Sequence, residues 1–210
     1  MRLGPGPSWL LHLSDPDDLV FALYVRDACR LTAAGDDVPH LTPDVALTLT
    51  SSVTDAAVLP AQWEAWWSAL LSNRARGQSW YGTFVSEQLG GQSDSRDPTG
   101  LLPIGAELRQ AQEALLRPAR NWRAEHRFER RRAPRLVPHE VSLLETYLVK
   151  DIESDIGRKA RPFEYHVEAL PVRGRWFRDL SSSALLISEE LLADTDAYRD
   201  VLRPRLTALA

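Results

Sequence analysis

The chain has 210 residues, 44 % hydrophobic and 26 % charged, with a formal charge of -4. This is the composition of a globular protein able to bury a substantial core, and it excludes collagen-like, low-complexity and disulfide-scaffold classes. The longest uncharged apolar run, Leu19–Val25, falls far short of the roughly 20 residues that cross a bilayer, and acids precede it where a signal peptide would be basic. The expectation is a cytoplasmic protein without a membrane partner.

Charge is uneven along the chain. Residues 1–100 carry 6 basic and 12 acidic side chains, and residues 101–210 carry 19 and 17. Only Lys150 and Lys159 are lysine, so part of the arginine excess reads as coding bias.

The first predicted helix starts at SDPDD, with Asp15 as N-cap, Pro16 in the first helical position and Asp17 and Asp18 opposing the positive end of the dipole. It runs to about Leu31 and, being apolar all round from Leu19 to Val25, should be buried on most sides. Cys29, the single cysteine, cannot bridge within the chain and reads as a small buried hydrophobe beside that run. A short strand is predicted over Val45–Leu49. A second helix begins near Pro60, where Trp63, Trp66, Trp67, Leu70 and Leu71 share one helical face.

Leu89–Pro103 is rich in Gly, Ser, Asp and Pro and marks a loop or boundary. It divides residues 1–88 from 104–210, unless all form one domain. A third helix covers Pro103–Leu116 and is kinked or ended by Pro118. A basic helix then runs to Arg132. Val141, Leu144, Leu148, Ile152 and Ile156 make a further helical stripe, closed by Gly157.

Residues 163–172 alternate strictly, with Phe163, Tyr165 and Val167 on one side and Glu164, His166 and Glu168 on the other. VRGR turns this strand toward Arg175–Arg178, and Ala184–Ile187 adds another. Ser188 caps a closing helical region that Pro204 interrupts. The expected class is α+β, predominantly helical, with a small antiparallel sheet in the C-terminal half.

Phosphate-cradling glycine loops, HExxH, CxxC and GxSxG are absent from the sequence, so no cofactor is expected from a motif. Asp151, Glu153 and Asp155 imitate a calcium loop, but the glycine is out of place and position 12 lacks an acid. Ser181, Ser182 and Ser183 have no neighbouring base or oxyanion hole.

Three surfaces remain. Eight arginines and two acids lie between Arg117 and Arg135. Arg120, Arg123, Arg127, Arg130 and Arg131, with Trp122 between them, recur every three or four residues and would meet an acidic protein surface or a nucleic-acid backbone. Glu164, His166 and Glu168 place two carboxylates and an imidazole along one strand face, roughly 6.5 to 7 Å per step. They could begin a metal site, provided that His139, Glu140 or another distant residue completes it. Trp63, Trp66 and Trp67, with Trp80 and Tyr81 following, form either core or a self-association face.

The leading expectation is a non-catalytic interaction or assembly protein that binds an acidic protein partner or itself. The alternatives are a nucleic-acid-binding accessory factor using the arginine helix and a metal-dependent enzyme centred on Glu164, His166 and Glu168.

Overall fold

The structure is a computed structural model that describes residues 9–32, 37–46, 58–76, 105–132 and 143–210. Leu47–Leu49 of the expected strand, the Leu89–Pro103 segment, Trp80, Tyr81, His139 and Glu140 lie outside them, as does the side chain of Arg131. The described residues divide into two compact units, one within Pro16–Phe128 and one within Met1–Asp15 and Glu129–Ala210. No helix among them is long and apolar enough to cross a membrane.

In the first unit, α1 (Asp17–Ala28) buries every residue from Leu19 to Arg26. The N-cap is Pro16, not Asp15, and no side chain caps the helix there. Asp18 Oδ1 instead accepts from Leu19 N, at 2.9 Å, inside the first turn. The helix also stops before Leu31. Arg30 enters the left-handed region at φ 52°, its N–H meets Asp27 O, and Leu31 N meets Arg26 O. That pair of bonds is a Schellman ending made without glycine, which is why no stop signal shows in the sequence.

Arg26 is itself buried and donates to Val38 O and Pro39 O at 2.7 and 2.9 Å. Asp27 accepts from Leu41 N at 2.8 Å. One charged dipeptide at the end of α1 thus pins the segment that follows it, satisfying carbonyls that would otherwise be costly to bury. Val45 and Ala46 are described and are not in a strand.

Helix α2 (Leu59–Ala75) presents the expected stripe. Trp63 and Trp67 are buried and stack at 5.6 Å, and Trp63 Nε1 donates to Ala22 O at 2.7 Å, so a large apolar side chain enters the core with its polar atom paired. Trp66 stays half-buried and meets Phe21 edge-on. The tryptophan cluster is mainly core.

Helix α3 (Ala106–Arg132) is one continuous helix with Pro118 inside it, where the sequence predicts two segments. Proline deprives the Ala114 carbonyl of its donor and costs about 3 kcal/mol in a helix interior. Leu108, Ala111 and Leu115 on one side of it and Ala119 on the other are all buried, and that shared stripe carries the helix through. Its start is fixed from α2: Gln62 Oε1 accepts from Leu108 N and Gln62 Nε2 donates to Glu107. A Cβ on Gly105 would lie 2.1 Å from the Gln62 side chain, so a larger residue there would have to displace the Gln62 amide that makes this external cap.

The second unit holds a four-stranded sheet in the order β1-β2-β4-β3, formed by β1 (Leu10–Ser14), β2 (Glu164–Leu170), β3 (Phe177–Ser181) and β4 (Ala184–Ser188). The class is α+β as expected, but the sheet is mixed. β1 and β4 both run parallel to β2, and only β3 and β4 pair antiparallel. Strand β1 precedes the first helix and has no counterpart in the sequence reading.

Helices α4 (Leu144–Ile156), α5 (Glu189–Ala193) and α6 (Thr195–Leu209) cover one sheet face. Leu144, Leu148 and Ile152 meet Tyr165, Val167, Leu185, Ile187, Tyr198, Leu202 and Leu206 in a single buried cluster. Gly157 ends α4 in the left-handed conformation, as the sequence predicts. Ser188 Oγ caps α5 through Leu191 N, but the break before α6 falls at Asp194, which caps Ala197 N, and Pro204 lies within α6. Leu202 and Leu206 are buried on either side of that proline, repeating the logic of Pro118.

The burial contrast in α2 is testable. Trp63→Ala should lower unfolding free energy by about 3 to 5 kcal/mol and Trp66→Ala by clearly less, read by urea denaturation followed by circular dichroism. Equal losses would contradict the assignment of Trp63 to the core.

Candidate metal centre

The alternation of β2 sends Tyr165, Val167 and Ala169 into the core. Glu164, His166 and Glu168 consequently share the opposite face. Strand β1 obeys the same rule. Leu11 and Trp9 pack against that core, so His12 must point the other way.

The parallel register then decides which groups meet. His12 lies opposite His166, and Leu10 opposite Glu164. The two imidazoles stack with ring centroids 4.7 Å apart and planes 8° from parallel, and both turn Nε2 toward one carboxylate oxygen. His12 Nε2 is 2.9 Å and His166 Nε2 is 3.3 Å from Glu164 Oε1.

The contact at His12 is unusual in its geometry. Nε2 is shielded from water and makes no hydrogen bond, although the oxygen lies at a hydrogen-bonding separation. The nitrogen and the carboxylate oxygen are therefore close without the alignment that an N–H donor needs. One ligand atom from each of His12, Glu164 and His166 lies within 4.8 Å of the others. The side chains themselves remain open to solvent, at 42 %, 58 % and 44 % exposure for His12, Glu164 and His166.

Two imidazole nitrogens and a carboxylate oxygen suit zinc and its divalent neighbours better than calcium or magnesium, which prefer oxygen alone. Ligands about 2.0 to 2.1 Å from a tetrahedral ion stand about 3.3 Å from one another. The His166–Glu164 separation already has that value and the His12–Glu164 contact would open by a few tenths of an ångström, but the stacked imidazoles would have to turn out of parallel before both rings could direct Nε2 at one ion.

Of the strand residues singled out in the sequence, the structure brings Glu164 and His166 together. Glu168 lies one alternation further along, opposite Ser14, and is not among the convergent donors. The distant residue that joins them is His12. Its signal was the alternation Leu11, His12, Leu13, blurred by Leu10 on one side and cut short by Ser14 and the SDPDD helix start.

Several arginines of this helix are engaged within the chain. Arg123 is buried, with Nε 3.4 Å from Asp17 Oδ1. Arg127 Nη2 is 2.6 Å from the same oxygen, and Arg130 Nη1 is 2.5 Å from Glu189 Oε1. Arg120 is exposed, while Trp122 is half-buried, stacked on His126 at 5.5 Å and tilted against Tyr24.

The serines are engaged locally, with Ser183 N donating to Ser181 Oγ at the β3–β4 turn. Cys29 is partly buried, and desolvation pushes its thiol up to about 11, because burial disfavours the thiolate. At pH 8 the native thiol should therefore react with a disulfide reagent on the order of a hundredfold more slowly than in the urea-unfolded chain. Equal rates would show that the side chain is not desolvated.

Comparison with protein-family models, with curated proteins and with solved structures finds no match to this chain.

Proposed function

We propose that this protein is metal-dependent, with a divalent transition metal held by His12, Glu164 and His166. The observation that carries the reading is His12 Nε2, shielded from water, 2.9 Å from Glu164 Oε1 and without a hydrogen bond. A nitrogen and a carboxylate oxygen held that close without a hydrogen bond gain when a cation is shared between them, since both are attracted to it. A hydrogen bond would need the N–H directed toward the oxygen, which this pair lacks.

The exposure of all three side chains favours a working site over a structural one. Structural zinc is usually closed by four protein donors, whereas three donors leave a position for water or substrate. A metal there acts as a Lewis acid, polarising a bound carbonyl or phosphoryl oxygen or lowering the pKa of a bound water toward neutrality. The chain's contribution is to fix two imidazoles and a carboxylate from two hydrogen-bonded strands. We therefore favour a metal-dependent enzyme over the interaction reading, three of whose arginines already have acidic partners within the chain.

Calorimetric titration of metal-stripped protein with zinc tests this. One site per chain is expected. His12→Ala, His166→Ala and Glu164→Gln should each weaken binding by at least about a hundredfold, more than loss of an outer-shell partner typically does, while Glu168→Gln should change it by less than about tenfold. Zinc uptake that is absent, or that is indifferent to all three ligand substitutions, would remove the proposal.

A further inference from the structure

We infer that metal occupancy controls the docking of β1, so that the centre doubles as a metal-operated latch on the amino-terminal strand. This rests on the metal reading above. The argument lies in how the ligands are divided between strands: Glu164 and His166 belong to β2, which is hydrogen-bonded on both sides, whereas His12 belongs to β1, which is paired only along its β2 side among the described residues.

Among the described residues, little else holds β1. It is five residues long, and Leu10 and Leu13 are 52 % and 51 % exposed. Its apolar anchorage comes from Leu11 and the adjoining Trp9, which stacks on Phe163 at 6.2 Å. No short turn tethers it, because residues 15–163 intervene before β2. Bringing two such distant segments together has an unfavourable chain entropy, opposed here by one ladder and two partly buried side chains.

A metal changes that balance selectively. It binds the docked strand through three protein donors and the undocked strand's site through two, so it favours docking by mass action. Without metal, the stacked imidazoles and the unaligned His12–Glu164 contact add little that would resist opening. The expected behaviour is a strand that opens locally in the metal-free protein and closes on loading, while the β3–β4 hairpin and the covering helices stay folded.

Amide hydrogen exchange on the full chain, with and without zinc, reads this directly. With free zinc at about a hundred times the dissociation constant measured by calorimetry, exchange in the peptide covering Leu10–Ser14 should slow by up to about a hundredfold, reduced by whatever affinity the two-donor undocked site retains, and exchange in β3 and β4 should change little. A second variant, Leu11→Ala, keeps all three ligands and weakens the anchorage. It should speed β1 exchange in the metal-free protein, and weaken zinc binding by the factor by which the docked fraction falls, since only the docked fraction supplies His12.

The outcomes separate the two proposals. Calorimetric binding with unchanged β1 exchange would overturn the latch and leave the metal centre standing. Slowing spread evenly over the whole sheet would overturn it too, as global stabilisation. Absence of binding in the wild-type protein would bring down both.

Discussion

The parallel register between β1 and β2 is the constraint on which the candidate centre depends. A parallel pair cannot be closed by a tight turn, and here everything from Asp15 to Phe163 lies between the two strands. The register is nevertheless demanding, because a slip by one residue would move the whole side-chain set to the other face. Leu11 and Trp9 must reach the core occupied by Tyr165 and Val167; once they do, His12 has one position available, opposite His166. The apolar face thus determines the polar one, and no separate device is needed to aim the imidazole.

Within the Pro16–Phe128 unit, electrostatics follows a comparable economy. The acids at the start of α1 oppose the positive end of its own dipole and also receive arginines from two other helices. Arg74 of α2 meets Asp18 at 2.5 Å, and Arg123 and Arg127 of α3 meet Asp17. The acidic first half and the arginine-rich middle of the sequence look like an asymmetry in search of a partner. Part of it is neutralised within one helical unit. The three pairs differ in consequence, since Asp17 is largely solvated and an exposed pair contributes at most about 1 kcal/mol, whereas Arg123 and Arg74 are nearly enclosed. For those two, truncation would also lose whatever packing the aliphatic stem makes, besides the charge.

Several features were legible because one local signal dominated each of them. The tryptophan stripe of α2, the alternation of β2, the left-handed Gly157 and the Ser188 cap all emerge where the sequence places them. The misreadings share a cause as well. Pro118 and Pro204 are strong local breakers, yet each sits in a helix whose buried stripe continues on both sides, and packing at a distance outweighs a local penalty of about 3 kcal/mol. Arg30 ends α1 in a conformation that glycine usually takes. Strand β1 is too short and too uniformly leucine-rich to show a period of two, and its partner lies at the far end of the chain. Two of the three donors were therefore visible on a polar strand face, while the histidine that joins them was invisible without the register.

Siting the three donors on strands rather than loops has two consequences that pull in opposite directions. Hydrogen-bonded strands hold Cβ positions closely, which suits a centre whose ligands must converge to within a few tenths of an ångström. Yet one of these strands lies at the sheet edge and contributes a single donor, so the precision lasts only while that strand is docked. In a buried four-ligand site, metal and fold would reinforce each other throughout the molecule. Here the coupling is confined to five residues, because α4, α5 and α6 already bury the core against β2 and β4 without any help from His12. In the proposed latch the metal would act on an edge strand, where a modest binding free energy can shift a population.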